Sequence, residues 1–298
     1  LYSSAASDVY KRQAALKSGK TLRIALLISD QIRLWFSASI IQGLNQVFHT
    51  AGYDLSIFQI SSSKERSEFF TMLPTRRNAD AVVVCSFDVN TDEIAQLKST
   101  GVPIVGINCL YPQKCDFDAT INIDDDQGAR LMARHLIGLG HRNIAYVRTT
   151  RDVSLHFSVL QRYHSFIDEC QNSGITPTEI VAPANSDRIS AIVSMLLGSS
   201  IMPTAIACQE DGIAIPLMFQ LARSGYSTPK DVSIIGFDDS FYAHETGLTT
   251  IRQDPVDIAS TAANITLALI NAEEVEDPYR IVPAQLIVRS STAALLKE

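Results

Sequence analysis

Residues 229–239 read Pro-Lys-Asp-Val-Ser-Ile-Ile-Gly-Phe-Asp-Asp, and this stretch decides the predicted fold. Residues 232–237 form a nearly continuous apolar run, and amphipathic helices are predicted before it at 211–224 and after it at 255–271. An apolar strand between such helices is typical of a parallel sheet that helices cover on both faces. Because ligands bind at the carboxyl ends of such strands, Asp238 is the first candidate for a ligand contact.

The same alternation of strands and helices extends through the rest of the chain. Apolar residues from Ile40 to Ala51 recur on one face of a helix that Gly52 ends. The two halves carry similar β/α series, so the predicted fold class is α/β, with two doubly wound parallel-sheet lobes. Further strands are predicted at 22–28, 53–60, 81–87, 103–107, 119–123, 143–147, 179–182, 204–208 and 281–289, and further helices at 92–99, 127–139, 159–172 and 187–198.

Composition narrows the class of protein. The 298 residues suit two lobes of ordinary domain size, and 46% hydrophobic with 19% charged residues is a folded composition. The longest apolar runs are far shorter than the roughly 20 residues of a membrane span. No stretch of signal-peptide type is seen, and the five cysteines are scattered without a CxxC pair. We therefore expect a cytoplasmic protein with reduced thiols and no contact with membranes.

The net charge and the absence of known motifs argue against nucleic-acid-binding proteins and against several classes of enzyme. The net charge is −7 and long Lys/Arg runs are lacking, so the chain by itself is expected to bind nucleic acid poorly. Ser18-Gly19-Lys20-Thr21 resembles the end of a P-loop, but Ala14 occupies the place of its first glycine. GxGxxG, HExxH and GxSxG are all absent. We expect no enzyme activity, no cofactor and no metal; a carboxylate-based hydrolase using Asp124 and Asp238 is the enzyme alternative.

Six segments, taken together and in their order along the chain, resemble the LacI/GalR family of bacterial transcription regulators. The segment HLIGLGHRNIA at 135–145 is close to a family signature, and PKDVSIIGFDD at 229–239 is the strongest match. The family pattern is HLxxLGHxxIA for the first of these. The other four segments are AALKSGKT at 14–21, Gly52-Tyr53, LTTIRQ at 248–253 and VRSST at 288–292.

This resemblance implies the organisation of the chain. It implies a periplasmic-binding-protein-like type I fold, whose two lobes are joined by a three-stranded hinge. The implied lobes are 22–149 plus 252–281 and 150–251 plus 282–298. Residues 1–21 are interpreted as a non-native tail and the remnant of a hinge helix and linker, with a helix-turn-helix head expected before them in a complete regulator.

The resemblance also implies partners. Operator DNA is expected as a partner of the full-length protein only, with Leu16 of the hinge helix in the minor groove; the alternative is that Leu16 is a linker residue. A homodimer is implied as well. A small sugar-like effector is expected to bind in the cleft between the lobes and to control DNA binding allosterically. The alternative function is a solute-binding protein of a sugar transport system, which shares this fold.

Two candidate ligand contacts belong to the second implied lobe. Asp238 can accept hydrogen bonds from two sugar hydroxyls; alternatively it caps the following turn. Arg162 lies in Arg-Tyr-His-Ser-Phe, which resembles the RxxGF of the family. Its guanidinium can bind hydroxyls or a carboxylate, and the alternative is an arginine on the surface of a helix.

Three more candidates follow the first strand. Asp30 begins the segment DQIRLWF, which resembles the DxxNPFF of the family. Trp35 is the only tryptophan, and its indole can pack against the apolar face of a sugar ring; alternatively it is a core aromatic. Phe36 completes this group of predicted contacts.

The last two candidates precede helices. Asp124 is a cleft residue by resemblance, although a carboxylate there can also simply cap the next helix. Glu210 stands where members of the family usually have asparagine. A second carboxylate near Asp238 would favour a ligand rich in hydrogen-bond donors, or one carrying positive charge.

Overall fold

The computed structural model describes residues 20–60, 62–72, 79–86, 89–109, 116–150 and 157–295. Leu16, the predicted DNA contact, lies outside these ranges. The chain divides into two compact units. The first comprises Leu1–Asn122, Ser154–Phe157 and Asp254–Val282, and the second comprises Ile123–Val153, Ser158–Gln253 and Pro283–Glu298.

A six-stranded sheet forms the centre of the first unit, with strand order β11-β5-β4-β3-β1-β2. Strands β1 to β5 pair in parallel. Apolar cores cover both faces of the sheet, as the continuous Val/Ile runs predict. The strands are β1 (Arg23–Ile28), β2 (Asp54–Gln59), β3 (Ala81–Cys85), β4 (Ile104–Ile107), β5 (Ala119–Ile123) and β11 (Tyr279–Val282), and the helices are α1 (Trp35–Thr50), α2 (Ser63–Met72), α3 (Thr91–Ser99) and α9 (Pro255–Ile270).

Helices α1 and α9 pack closely against each other in this unit. Gly43 lies at the contact, where a Cβ atom would overlap the carbonyl oxygen of Val256 and the methyl group of Ala259. The apolar face predicted between Ile40 and Ala51 includes Leu44 and Phe48, which are fully buried in the core that α9 shares.

A second six-stranded sheet, with order β12-β10-β9-β8-β6-β7, forms the second unit. Its pairs are parallel except for β12, which runs antiparallel to β10. The predicted α/β class with two doubly wound sheets is confirmed. The strands are β6 (Ile144–Thr149), β7 (Thr178–Ala182), β8 (Ala205–Cys208), β9 (Ser233–Asp238), β10 (Thr249–Arg252) and β12 (Gln285–Ile287), and the helices are α4 (Asp125–Gly138), α5 (Phe157–Asn172), α6 (Arg188–Leu197), α7 (Asp211–Arg223) and α8 (Phe241–Glu245).

The single strand predicted at 281–289 is wrong. The structure has two strands there, β11 in the first sheet and β12 in the second. Pro283 lies between them and lacks the N–H group that a continuous strand would need. Helices α2 and α8 and strand β10 were not predicted either; α2 is mostly polar, so its helical period is weak.

The first boundary between the units also differs from the expected one near residue 149. Strand β6 belongs to the second sheet, and α4 packs against β8, β10 and β12 of the same sheet. The reason is that Met132 and Leu136 on the apolar face of α4 are buried with Tyr146 and Phe237 of that sheet. The second unit therefore begins at Ile123.

In the described ranges, none of the helices combines the length and apolar character that a membrane crossing would require.

Residues 289–295, here called the C-terminal strap, run along the second unit. The Ser291 hydroxyl donates to the Ile234 carbonyl (2.6 Å), and the Leu295 N–H donates to the Leu139 carbonyl (2.8 Å). The two histidines of the HLIGLGH segment also hold the strap. His135 Nε2 lies 2.9 Å from the Thr292 hydroxyl, and His141 Nε2 donates to the Ala293 carbonyl at 3.1 Å.

The burial of His141 against the C-terminal strap leads us to predict a pH dependence of stability. Burial lowers the pKa of His141 below its ordinary value of 6.5, so the unfolded chain binds a proton more readily than the folded one. Stability is therefore unaffected well above pH 6.5 and falls as the pH drops through that value. Between pH 7.5 and 5.5 we expect the parent to lose about 1 kcal/mol more of its free energy of unfolding than His141→Gln does.

Urea unfolding at each pH measures this difference. His49→Gln, at an exposed position of α1, is the matched control and should follow the parent. Parallel pH profiles for the parent and His141→Gln would contradict the assignment of the effect to the strap.

Candidate functional site

Polar side chains converge at the carboxyl end of the second sheet. Asp238 ends β9, Glu210 and Asp211 start α7, and Asp125 starts α4. Arg162 comes from α5. Parallel strands direct their carboxyl ends to one edge, which explains why residues so distant in sequence meet there.

Arg162 is the buried cation of this cluster, with 6% of its surface exposed. Its Nε donates to Asp125 Oδ1 at 2.6 Å, and its guanidinium carbon lies 3.7 Å from the centroid of the Phe237 ring. Among the described residues, the terminal nitrogens Nη1 and Nη2 donate no hydrogen bond to the protein. Most of the donor capacity of this guanidinium is therefore available to another molecule.

Asp238 forms an ion pair with Arg162, at a distance too long for a hydrogen bond. Its Oδ1 lies 3.7 Å from Nη1 of Arg162 and accepts a hydrogen bond from Nε2 of Gln253 at 2.6 Å. Burial raises the pKa of Asp238 well above its ordinary value; Arg162 lowers the pKa, whereas Asp211 and Glu210 raise it further. The backbone φ of Asp238 is +127°, a conformation that is strained for every residue except glycine. Such strain is common at ligand sites.

Neighbouring carboxylates hold the turn that presents Asp238. Asp239 accepts hydrogen bonds from Arg252 Nε and Arg289 Nη2, each at 2.6 Å. Asp211 accepts from the Thr250 hydroxyl at 2.7 Å and from the N–H and the hydroxyl of Ser240 at 2.8 and 3.0 Å. Burial raises the pKa of Asp211 to about 6. These contacts position the strained turn and leave it little freedom.

Four ligand contacts were predicted for this unit, and the structure brings two of them, Asp238 and Arg162, together. Asp124 caps α4 by accepting from the Gln127 N–H at 2.8 Å, which is the alternative role foreseen for it. Glu210 is the N-cap residue of α7 but makes no capping hydrogen bond through its side chain. Asp125 was missed, although three successive aspartates before a helix were a visible signal.

The three candidates of the first unit lie after β1. Asp30 lies two residues after the end of the strand, and Trp35 is the first residue of α1. Both are half-buried. Phe36 is partly buried and packs against the apolar core of its own unit. The first unit thus places Asp30 and Trp35 at the carboxyl edge of its sheet.

Two buried polar atoms near Asp238 and Arg162 were not foreseen from the sequence. Within the described residues, Oε1 of Gln253 and the hydroxyl of Tyr146 have no hydrogen-bond partner. Tyr146 is 1% exposed, and its ring packs against Tyr163 and Phe166. Burying a polar atom without a partner costs free energy, so each atom favours an additional partner such as a water molecule or a ligand.

Replacing Tyr146 by phenylalanine tests the cost of its hydroxyl. We expect Tyr146→Phe to raise the free energy of unfolding by about 1 kcal/mol, because the ring stays and only the unpartnered hydroxyl is lost. Urea unfolding of the ligand-free protein is the measurement. Tyr163→Phe is the control: its hydroxyl is only partly buried and lies near the Glu179 carboxylate, so this variant should not gain stability. A destabilised Tyr146→Phe would show that the hydroxyl has a partner.

Comparison with known proteins shows which proteins this chain is similar to. A family model described as a periplasmic binding protein-like domain matches residues 133–292. The HTH-type transcriptional regulator GalR of Escherichia coli (strain K12) is 29% identical over 289 residues, which cover 94% of this chain and 81% of GalR.

Two solved structures are similar. A LacI family transcriptional regulator from Enterococcus faecium, with bound ribose, has a TM-score of 0.78 and 25% identity, covering 92% of this chain and 100% of that one. The lac repressor dimer bound to operator and the anti-inducer ONPF has a TM-score of 0.79 and 22% identity, covering 95% and 98% of the two chains, and shows the shared fold. The chain therefore belongs to the periplasmic binding protein-like family, and it is similar along most of its length to transcriptional regulators of the LacI/GalR type.

Proposed function

We propose that this domain binds a small polyhydroxyl effector, a sugar or sugar derivative, and that binding controls the affinity of the regulator for operator DNA. The observation that carries the proposal is the state of Arg162. It is almost fully buried, yet its two terminal nitrogens make no hydrogen bond within the described residues, and the Asp238 carboxylate lies 3.7 Å away.

This pair suits neighbouring hydroxyl groups. A hydroxyl both donates and accepts, so two adjacent hydroxyls can accept from Arg162 and donate to Asp238 at the same time. Gln253 adds an acceptor, because its Oε1 is buried without a partner in the described structure. The ribose bound to the similar Enterococcus faecium regulator is a compound of this class.

A binding screen tests the proposal. We expect at least one neutral sugar among D-ribose, L-arabinose, D-galactose and cellobiose to raise the melting temperature, and to bind by calorimetry. Arg162→Lys and Asp238→Asn should each weaken that binding at least about tenfold, through lost charge-assisted hydrogen bonds. Asp187→Asn, at an exposed position of the same unit, should not. Binding that is unchanged in both site variants would contradict the proposed site.

The roles of the other candidates rest on the sequence, and Trp35 can be tested directly. Because Trp35 is the only tryptophan, its fluorescence reports its surroundings without ambiguity. If Trp35, Phe36 and Asp30 contribute to the effector site, the emission changes during titration with a binding sugar. Separate titrations of Asp30→Asn, Asp124→Asn and Glu210→Gln then show which carboxylates contribute.

A regulator is distinguished from a transport protein by its response to DNA. The similar GalR is a transcriptional regulator, which favours regulation over solute transport and over catalysis. We propose a cytoplasmic location for the same reason. In gel-shift assays on the regulator carrying its DNA-binding head, the effector should change operator affinity; no change with a bound sugar would favour the transport alternative. Sugars recovered unchanged would exclude turnover.

We also propose that the protein is a homodimer, as the similar lac repressor is. Aromatic side chains of the second unit support an interface. Phe219 of α7 and Phe241 and Tyr242 of α8 are 61%, 70% and 60% exposed, a costly exposure for a protein that stays monomeric. Sedimentation should show a dimer, and Phe241→Ser combined with Tyr242→Ser should weaken it. Ile201→Ser, an exposed apolar control, should have no effect.

A further inference from the structure

The features of the second unit that could attract an anion are already occupied by its own carboxylates. Helix amino termini carry partial positive charge and free N–H groups, and they commonly bind phosphate. Two helix amino termini contribute to the site. Asp124 and Asp125 lie at the start of α4, where Asp124 accepts from the Gln127 N–H. Glu210 and Asp211 occupy the start of α7.

The positive charge of the buried Arg162 guanidinium is likewise compensated by carboxylates. Arg162 faces Asp125 at 2.6 Å and Asp238 at 3.7 Å, so two carboxylates share one cation. Its charge is neutralised before any ligand arrives, although its terminal N–H groups remain available as donors. It can therefore serve as a donor to hydroxyl groups without attracting an anion.

Other described arginines near the site are engaged as well. Arg252 and Arg289 hold Asp239. Arg148 of β6 binds Glu179 of β7 at 2.6 Å. Arg188 of α6 donates to the Gly212 carbonyl at 3.1 Å, beside the Glu210 carboxylate. In the described part of the unit, each arginine that faces the site is thus bonded to the protein itself.

We propose that the site selects effectors without an anionic group, so that neutral or amine-bearing polyhydroxyl compounds bind and their phosphorylated or carboxylated counterparts are rejected. The inference rests on the proposed function and specifies the ligand class. A phosphate or carboxylate close to Asp238 and Asp125 would meet carboxylates in a buried setting, where charge repulsion is weakly screened. A loss of at least about 100-fold in affinity is expected.

Glu210 makes this selection a property of this chain in particular. It is the N-cap residue of α7, next to Asp211, and its Oε1 lies 3.6 Å from the position that a Cβ atom on Gly212 would take, so its charge adds to that of Asp211 in opposing further negative charge at this edge of the sheet. Glu210→Gln should therefore reduce the discrimination against anions while keeping the shape of the side chain. Glu245→Gln, at an exposed position of α8, is the matched control.

Matched pairs of probes test the proposal by calorimetry. The pairs are D-ribose with D-ribose 5-phosphate, D-glucose with D-glucose 6-phosphate, and D-galactose with D-galacturonate. Within the pair that contains a binder, the non-anionic member should bind at least about 100-fold more tightly, and Glu210→Gln should narrow this ratio while Glu245→Gln leaves it unchanged.

The outcomes separate the two proposals. An anionic member that binds as tightly as its partner, with loss of binding in Arg162→Lys, would overturn the charge selection and leave the sensor function intact. A ratio that Glu210→Gln does not alter would overturn the part assigned to Glu210. Failure of every probe to bind would count against the proposed sugar effector, and with it against the selection that rests on it.

Discussion

Replacing Asp238 by glycine is expected to raise the melting temperature of the ligand-free protein and to abolish effector binding. Three features of Asp238 cost stability. Its φ of +127° is strained for any residue except glycine, its carboxyl is buried, and it shares the Arg162 guanidinium with Asp125. Backbone strain of this kind costs about 1–3 kcal/mol. Glycine removes all three features, and loses roughly 1 kcal/mol through greater freedom of the unfolded chain.

The net gain should be about 1–3 kcal/mol, or roughly 2–8 °C in melting temperature for a chain of this size. The pH dependence follows from the raised pKa of Asp238. An acid whose pKa is raised in the folded state destabilises that state at pH values above its unfolded pKa, and the penalty disappears as the pH falls. The gain in Asp238→Gly should therefore be larger at pH 8 than at pH 4.5.

Asp238→Asn separates charge from strain. It removes the carboxylate but keeps a side chain at the same φ, so it should recover only the pH-dependent part of the gain. Differential scanning calorimetry measures both variants. A melting temperature lower than that of the parent in Asp238→Gly would show that the carboxylate stabilises the empty protein, and that its strained conformation is fully compensated.

Replacing Arg162 by methionine should be strongly destabilising, by about 3–5 kcal/mol. Asp125 is buried, and Arg162 is the cation that bonds to it. Removing one partner of a buried ion pair leaves the other charge uncompensated, which costs more than the pair itself contributes. Burial already raises the pKa of Asp125, and Arg162 opposes that rise. Without Arg162 the carboxyl should take up a proton more readily, so the loss should be smaller at acid pH.

A double-mutant cycle checks this explanation. Arg162→Met combined with Asp125→Asn should be more stable than Arg162→Met alone, because the uncompensated charge is gone. Arg134→Met is the control, since the Arg134 side chain is exposed and Glu169 keeps its ion pair with Arg130, so this variant should lose far less stability than Arg162→Met. Additive effects of the two substitutions at Arg162 and Asp125 would contradict the coupling.

The fold could be predicted because long Val/Ile runs and amphipathic helices are local signals of a two-sided parallel sheet. Asp238 and Arg162 could be predicted because strand ends and the family resemblance both point to them. Asp125 could not be separated from Asp124 by spacing alone. Which of three successive aspartates meets Arg162 depends on how α4 and α5 pack, and that packing involves residues distant in sequence such as Phe237.

The errors have a similar origin. Apolar character at 281–289 is compatible with one long strand or two short ones, and only the pairing of β11 with β5 and of β12 with β10 decides between them. The predicted boundary near residue 149 differs from the division by contacts, which begins the second unit at Ile123, because the apolar face of α4 does not reveal which sheet it covers. The strain at Asp238 depends on tertiary packing, which no local pattern encodes. The same holds for the Tyr146 hydroxyl, which has no hydrogen-bond partner among the described residues.

The pairing of β11 with β5, and the packing of α9 against Gly43, have a consequence for biosynthesis. The edge strand β11 and the helix α9 of the first unit are complete only when the ribosome has passed residue 282, long after α1 has emerged. Until then the apolar face of α1 lacks the cover of α9 and can pack only against the strands of the first sheet, while residues 123–253 are still being synthesised. Translation arrested within that middle segment should release a product whose amino-terminal half is the preferred target of chaperones and proteases.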